Sequence, residues 1–259
     1  MTKDVSFQFS PIGYIHSPFK EKIGMAKQSM MIPQATGLLK LNHDTRFQSA
    51  VEDLEGFSHL WVIFVFHKHL EKNWRPKISP PRIDGPERVG VLASRSPHRP
   101  NPLGMSALKI EKIETQAPNG VEIHLSGLDL LDGTPVLDIK PYLPFADAFP
   151  DAKPGWASAE NFCYPVTYSK EALDSIKAAT SAEYPQLKEL LHQMLELDPR
   201  ATALRKLFPI DTTANEGRQF GFRFLDFDVQ WKIKNKGVYL IDLFRMNGTR
   251  DNESKGSHR

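Results

Sequence analysis

Between Pro11 and Pro165 the apolar residues fall in short β-branched or alternating runs, broken repeatedly by Pro, Gly and Asn. That punctuation is the strongest constraint on the fold. A doubly wound parallel sheet needs a helix between successive strands, and this stretch has no alternation with long helices, so a barrel or sandwich is favoured. The runs predict strands over Ile12–His16, Gly37–Leu41, Ser58–Phe66, Val89–Ala93, Met105–Thr115, Val121–Ser126 and Val136–Ile139. One short helix is expected from Thr45 to Asp53, with Asn42 or Asp44 as its cap.

After Tyr168 the period changes. Lys170–Ala179 and Gln186–Leu197 carry apolar residues at helical spacing. Gln219–Lys234 and Val238–Met246 then alternate aromatics and aliphatics around Asn235-Lys236-Gly237, whose Asn and Gly tolerate the positive φ of a tight hairpin. The expected organisation is a mainly β chain: an N-terminal β-barrel over 1–167, a smaller α+β domain over 168–246, and a flexible polar tail over 247–259.

Several classes are disfavoured. The 259 residues are 40% hydrophobic, enough for real cores. A single cysteine, Cys163, allows no internal disulfide and no cysteine-built zinc site. The longest apolar run, Leu60–Phe66, falls far short of the roughly 20 residues of a membrane-spanning helix. With no secretory signal pattern at the start, a cytoplasmic location is expected. No G-x-G-x-x-G, Walker A, H-E-x-x-H or G-x-S-x-G pattern occurs, and no metal is expected. Net charge is only +2, but between Arg75 and Lys109 seven cations face two carboxylates, Asp84 and Glu87.

That basic stretch contains SRSPHRPNPLGMS, residues 94–106. Pro97, Pro100 and Pro102 fix φ, so Arg95, His98, Arg99 and Asn101 have less freedom to lose on binding. Guanidinium groups fork onto carboxylate or phosphate oxygens, and an Asn amide matches the adenine edge. The residues alone leave open that the prolines only route a barrel loop. Gly127-Leu128-Asp129-Leu130-Leu131-Asp132-Gly133-Thr134-Pro135 ends in a turn, and its carboxylates either cap that turn or bind a cation or a ribose hydroxyl. In an extended segment Asp138, Lys140 and Tyr142 share a face, which suits either proton transfer or an ordinary solvent face. His67 stands where an apolar strand exits to the surface.

In order along the chain, IGYIHSPF (12–19), LEGFSHLWVIFVFH (54–67), WRP and PPR (74–76 and 80–82), SRSPHRPNPLGMS, and LDLLDGTPVLDIKPYLPFAD (128–147) resemble the TrmO-type tRNA methyltransferases. Tyr184-Pro185-Gln186, Asp198-Pro199-Arg200 and Asp226-Phe227-Asp228-Val229 extend the resemblance through the C-terminal part. It implies a β-barrel enzyme, not a Rossmann fold, that methylates N6 of threonylcarbamoyladenosine beside the tRNA anticodon with S-adenosylmethionine, working as a homodimer. The implied cofactor residues are Ala26, Lys27, Gln28, His67, Lys68, Arg95, Met105, Gly127, Leu128 and Asp129. Where relatives commonly read Pro-Arg-Gln, this chain has Ala26-Lys27-Gln28, and Lys27 keeps the charge without the planar fork.

The implied reaction needs alignment of an activated sulfonium methyl with N6, and a base, because the N6 lone pair is delocalised into a urea-like group. Asp138 is the first candidate base and Tyr142 the second. The threonyl carboxylate calls for a cation, Arg99, Arg82 or Lys140, and Asn101 joins the substrate set. Two other readings fit the sequence: a non-catalytic RNA-binding barrel, and a methyltransferase acting on another substrate.

Overall fold

The computed structural model of the protein describes residues 6–22, 24–71, 73–80, 86–157, 163–180 and 184–246. In chain order the first part holds β1 (Gly13–His16), β2 (Gly37–Leu41), helix α1 (Arg46–Ala50), β3 (His59–Val65), β4 (Lys77–Ile78), β5 (Val89–Gly90), β6 (Leu103–Ala117), β7 (Gly120–Ser126), β8 (Pro135–Pro141) and α2 (Pro144–Asp147). Six of these strands close into an antiparallel barrel in the order β1-β2-β7-β6-β3-β8. Alternation explains why it closes around an apolar interior. Ile15, Leu39, Leu60, Val62, Leu108, Ile123, Leu125 and Val136 point inward with essentially no exposure.

β3 and β8 are joined out of simple register. Ile63 pairs with Asp138 and Phe64 with Val136, which leaves Leu137 as a bulged residue. Strict period-two alternation would put Val136 and Asp138 on one face. The bulge instead leaves Val136 in the core and turns Asp138 outward, beside Ile63, whose other neighbour is Met105 on β6.

The second part holds β9 (Val166–Tyr168), α3 (Lys170–Ala179), α4 (Leu187–Glu196), α5 (Thr202–Leu207), β10 (Gln219–Phe224), β11 (Phe227–Lys234) and β12 (Gly237–Arg245). Its sheet runs β10-β11-β12-β9, the last pair parallel. α3 begins at Ser169, whose Oγ accepts the Ala172 amide at 2.8 Å and so satisfies one of the unpaired first-turn donors. The apolar cores of the two parts are continuous, with Phe19 of the first 6.4 Å from Phe224 of the second.

Several expectations are corrected. The strand expected over Val89–Ala93 is the two-residue β5, paired with β4, followed by a 3-10 turn over Val91–Ala93. The apolar run reads as a strand, yet Leu92 is 74% exposed while Val91 is buried in a small cluster packed by Trp156. The helix expected to Asp53 stops at Ala50, with Asp53 at φ +64 before another short turn. Gln219–Lys234 is two strands, folded at Leu225, itself at positive φ. In the Asn235-Lys236-Gly237 turn the positive φ falls on Asn235 and Lys236, not on Gly237, where a Cβ would press on the Pro165 carbonyl. The 247–259 tail lies outside the described residues.

Candidate active site

A cleft of about 840 Å³ opens at the side of the barrel, where three pieces of chain meet. The first is the irregular segment between β1 and β2, which contributes Ala26, Lys27 and Gln28. The second is the turn after β3, with His67 and Lys68. The third is the loop from Ser94 to Met105, and Asp129 closes the inner side. The first and third pieces are tied together: Arg95 Nη1 donates to Gln28 Oε1 at 2.6 Å, and Gln28 Nε2 donates to the Lys27 carbonyl at 2.6 Å.

The proline-rich loop is also braced from within. The Ser96 amide donates to Ser94 Oγ at 3.2 Å, Arg99 Nη1 to the Ser94 carbonyl at 3.3 Å, and the Arg75 amide to the His98 carbonyl at 2.9 Å. Trp156 Nε1 fastens its start through the Ala93 carbonyl at 2.9 Å. Rotational freedom is therefore removed before any ligand arrives. Gly104 lets Phe64 form the apolar floor, since a Cβ there would overlap the Phe64 ring.

Charge is lopsided. Lys22, Lys27, Lys68, Arg95 and Arg99 face Asp129 among the described lining residues. Burial pushes the Asp129 carboxyl up from 3.8 to about 6, against the opposing pull of Ser106, Arg95 and the Ser29 amide. Its Oδ1 is shielded from solvent and accepts no hydrogen bond among the described residues. His67 is pushed below its usual range by burial first and by Lys68 second, which keeps its imidazole neutral near pH 7. A ligand suited to this cleft brings a donor for Asp129, at least one anionic group for the cations, and apolar surface for Phe64, Phe66 and Leu103. S-adenosylmethionine has all three: an ammonium and a ribose diol, a carboxylate, and the methylenes and adenine that flank its sulfonium.

Of the residues expected at the cofactor, Ala26, Lys27, Gln28, His67, Lys68, Arg95, Met105 and Asp129 line the cleft. Gly127 and Leu128 sit just behind it. Gly127, at φ +73, has Met30 packed where a Cβ would be, and Leu128 is fully buried. Arg99 and Asn101 line the cleft, and Arg82 lies outside the described residues. Asp138, Lys140 and Tyr142 are not in its lining. Asp138 and Lys140 pair at 2.9 Å on the barrel exterior, and Tyr142 packs on Trp61 at 5.5 Å. The strand register nevertheless sets Met105, Ile63 and Asp138 in one outward row, with Met105 and Ile63 both lining the cleft. Two strand spacings put Asp138 roughly 10 Å from Met105, at the cleft's edge.

Sequence reading missed Lys22 and His69, whose Nζ and Nε2 meet at 2.9 Å in the cleft wall. The His-Lys-His string at 67–69 offered a signal for His69. Lys22, 47 positions away, has no local pattern that could announce the contact.

Two family profiles match the chain. That of the tRNA-methyltransferase O N-terminal domain covers residues 14–148, and that of the TrmO C-terminal domain covers 162–245. The tRNA (adenine(37)-N6)-methyltransferase of Escherichia coli K12 is 41% identical over 239 residues, 92% of this chain and 98% of that protein. Its namesake from Eikenella corrodens is 51% identical over 186 residues, 72% of this chain and 96% of that one. A crystal structure of TrmO from Pseudomonas aeruginosa matches with a TM-score of 0.74 at 36% identity, over 93% of this chain and 99% of that one.

Proposed function

The chain belongs to the tRNA-methyltransferase O family, and from that premise we propose that it methylates N6 of threonylcarbamoyladenosine beside the tRNA anticodon, using S-adenosylmethionine. The observation that carries this reading is the braced cationic cleft in which Arg95 and Gln28 join two chain segments above one buried carboxylate. When bound, S-adenosylmethionine supplies a methyl group already activated on a sulfonium. The protein's work is then positioning and proton handling.

Asp129 and Arg95 are suited to the cofactor's donor and carboxylate groups, with Lys27, Gln28, His67 and Lys68 around them. Arg99, stiffened by Pro97 and Pro100, meets the threonyl carboxylate of the substrate, and Asn101 lies beside it. Asp138 takes the N6 proton. Its support is the strand register, which brings it to the edge of the cleft, whereas Tyr142 lies further along the same strand end. Lys140, 2.9 Å from Asp138, stands ready for a phosphate or the substrate carboxylate.

A homodimer fits the outer wall. Leu103 and Met105 are 42% and 53% exposed beside the half-buried Trp61, Ile63 and Val65, an apolar surface that a second copy would cover. No described helix is long and apolar enough to cross a membrane, and a tRNA substrate supports a cytoplasmic location.

The test is direct. The protein is incubated with S-adenosylmethionine and tRNA carrying threonylcarbamoyladenosine, and the nucleosides are analysed by mass. One added methyl on that nucleoside supports the reading, and no mass change with bound cofactor refutes it.

A further inference from the structure

Resting on the function proposed above, we infer that the C-terminal domain positions the cofactor-binding segment, through a socket formed by Met194, Phe222 and the Asp198-Pro199-Arg200 turn. The segment in question, residues 17–36, joins β1 to β2, and its described residues form neither helix nor strand. Connections of this length without structure of their own are uncommon in compact domains, and a loose one would have to be ordered each time cofactor bound.

One side of the segment is held by the barrel. The Met30 amide donates to the Gly127 carbonyl at 2.9 Å, and the Asp132 amide to the Phe19 carbonyl at 2.9 Å. Its other side is held by the C-terminal domain. The Gly24 amide donates to the Pro199 carbonyl at 3.2 Å, and Arg223 lies 3.6 Å from Glu21. Gly24 has φ +81, and a Cβ there would come within 2.8 Å of Met194 Cε and 2.9 Å of Phe222 Cδ2. Two residues later Ala26, 3% exposed, is shared between the cofactor cleft and a void of about 40 Å³ against Met194 and Asp198. Movement of the socket is thus transmitted to Ala26, Lys27 and Gln28 over two or three peptide units.

The socket itself is rigid. Asp198, at φ +54 and 1% exposed, grips Arg200 through Nε at 2.7 Å and Nη2 at 2.6 Å, with Arg205 Nε 3.4 Å away. Arg200 also donates to the Phe208 carbonyl at 2.7 Å and stacks 4.6 Å from the Phe220 ring. So many fixed bonds on one turn leave the Pro199 carbonyl little room to move. None of the socket residues lines the cofactor cleft, so each is a positioning residue.

The experiment compares the full-length protein with Gly24→Ala, Met194→Ala and Met194→Leu. S-adenosylmethionine affinity is read by calorimetry, amide exchange by NMR or mass spectrometry without cofactor, and folding by thermal unfolding. Gly24→Ala should weaken cofactor binding at least tenfold, and Met194→Ala at least threefold. Met194→Leu, which refills the space, should stay within twofold. Exchange at Gly24 and Met30 should quicken in Met194→Ala while the barrel strands stay protected. KM for cofactor should rise with kcat at saturating cofactor and modified tRNA unchanged. If Gly24→Ala does not fold, the Met194 pair decides. Cofactor affinity within twofold of normal in folded Met194→Ala, or unchanged exchange at Gly24, overturns the inference. Absence of cofactor binding by the unaltered protein would instead refute the proposed function, and the exchange data would still judge the mechanical tie.

Discussion

Asp129→Asn should make the cofactor-free protein more stable at neutral pH while costing it its cofactor. Burial raises the native carboxyl from 3.8 to about 6, so from pH 3.8 upward the unfolded chain sheds its proton before the native one does. The native state binds more protons across that window, and stability falls as pH rises through it. The separation between 3.8 and about 6 is worth up to about 3 kcal/mol, fully expressed above pH 6 and absent below pH 3.8. Asparagine has nothing to ionise. In urea titrations the variant's advantage over the parent should therefore be near zero at pH 3.5, grow between pH 4 and 6, and level off above. The other carboxylates titrate alike in both proteins and cancel in the difference. Bound S-adenosylmethionine gives the carboxylate a donor, so a hundredfold excess over Kd should recover about 2.7 kcal/mol in the parent and nothing in the variant. A stability difference that does not change between pH 4 and 7 would refute the argument that this carboxyl is held against its solvation.

Arg99→Ala should lower kcat/KM on modified tRNA about 10- to 150-fold, the worth of a charge-assisted hydrogen bond, with cofactor affinity largely kept. Equal methylation of modified and unmodified tRNA by the parent protein would remove the basis for that assignment. EDTA should leave S-adenosylmethionine binding unchanged in calorimetry, since no group of metal-ligating residues is found among the described residues. Gly104→Ala forces the Phe64 ring off the cleft floor and should destabilise the protein by about 1–3 kcal/mol while weakening cofactor binding, both measurable on one preparation. Ser169→Ala removes the α3 cap and should cost about 1 kcal/mol with the methylation rate unaffected.

The barrel was legible because its strands are short and alternate, so β1, β2, β3 and β7 lie within a residue of where alternation puts them. α3 begins and ends as read, since period and cap agree. The β4–β5 ribbon was not legible. A Val-Gly-Val-Leu-Ala run looks the same whether its leucine is buried or, as here, offered to a cleft. Local pattern also missed β9 and α5, each too short to establish a period. In the site, the loop at 94–106 announced itself by its prolines and arginines. The contacts that make it a site, Arg95 to Gln28 across 67 positions and Gly24 to Pro199, join residues with no shared local motif.

The bulge at Leu137 has a consequence for how this protein can vary. The extra residue is what lets Val136 and Asp138, two apart in sequence, face opposite sides of the barrel wall. Deleting Leu137 would leave Val136 opposite Phe64 and Asp138 opposite Ile63, and would only make the ladder regular. Deleting Ile139 instead would set Lys140 opposite Val62, whose side chain is fully buried, and strand a charge inside the barrel. Two deletions two positions apart on one strand should therefore part company sharply: the bulge absorbs the first and nothing absorbs the second.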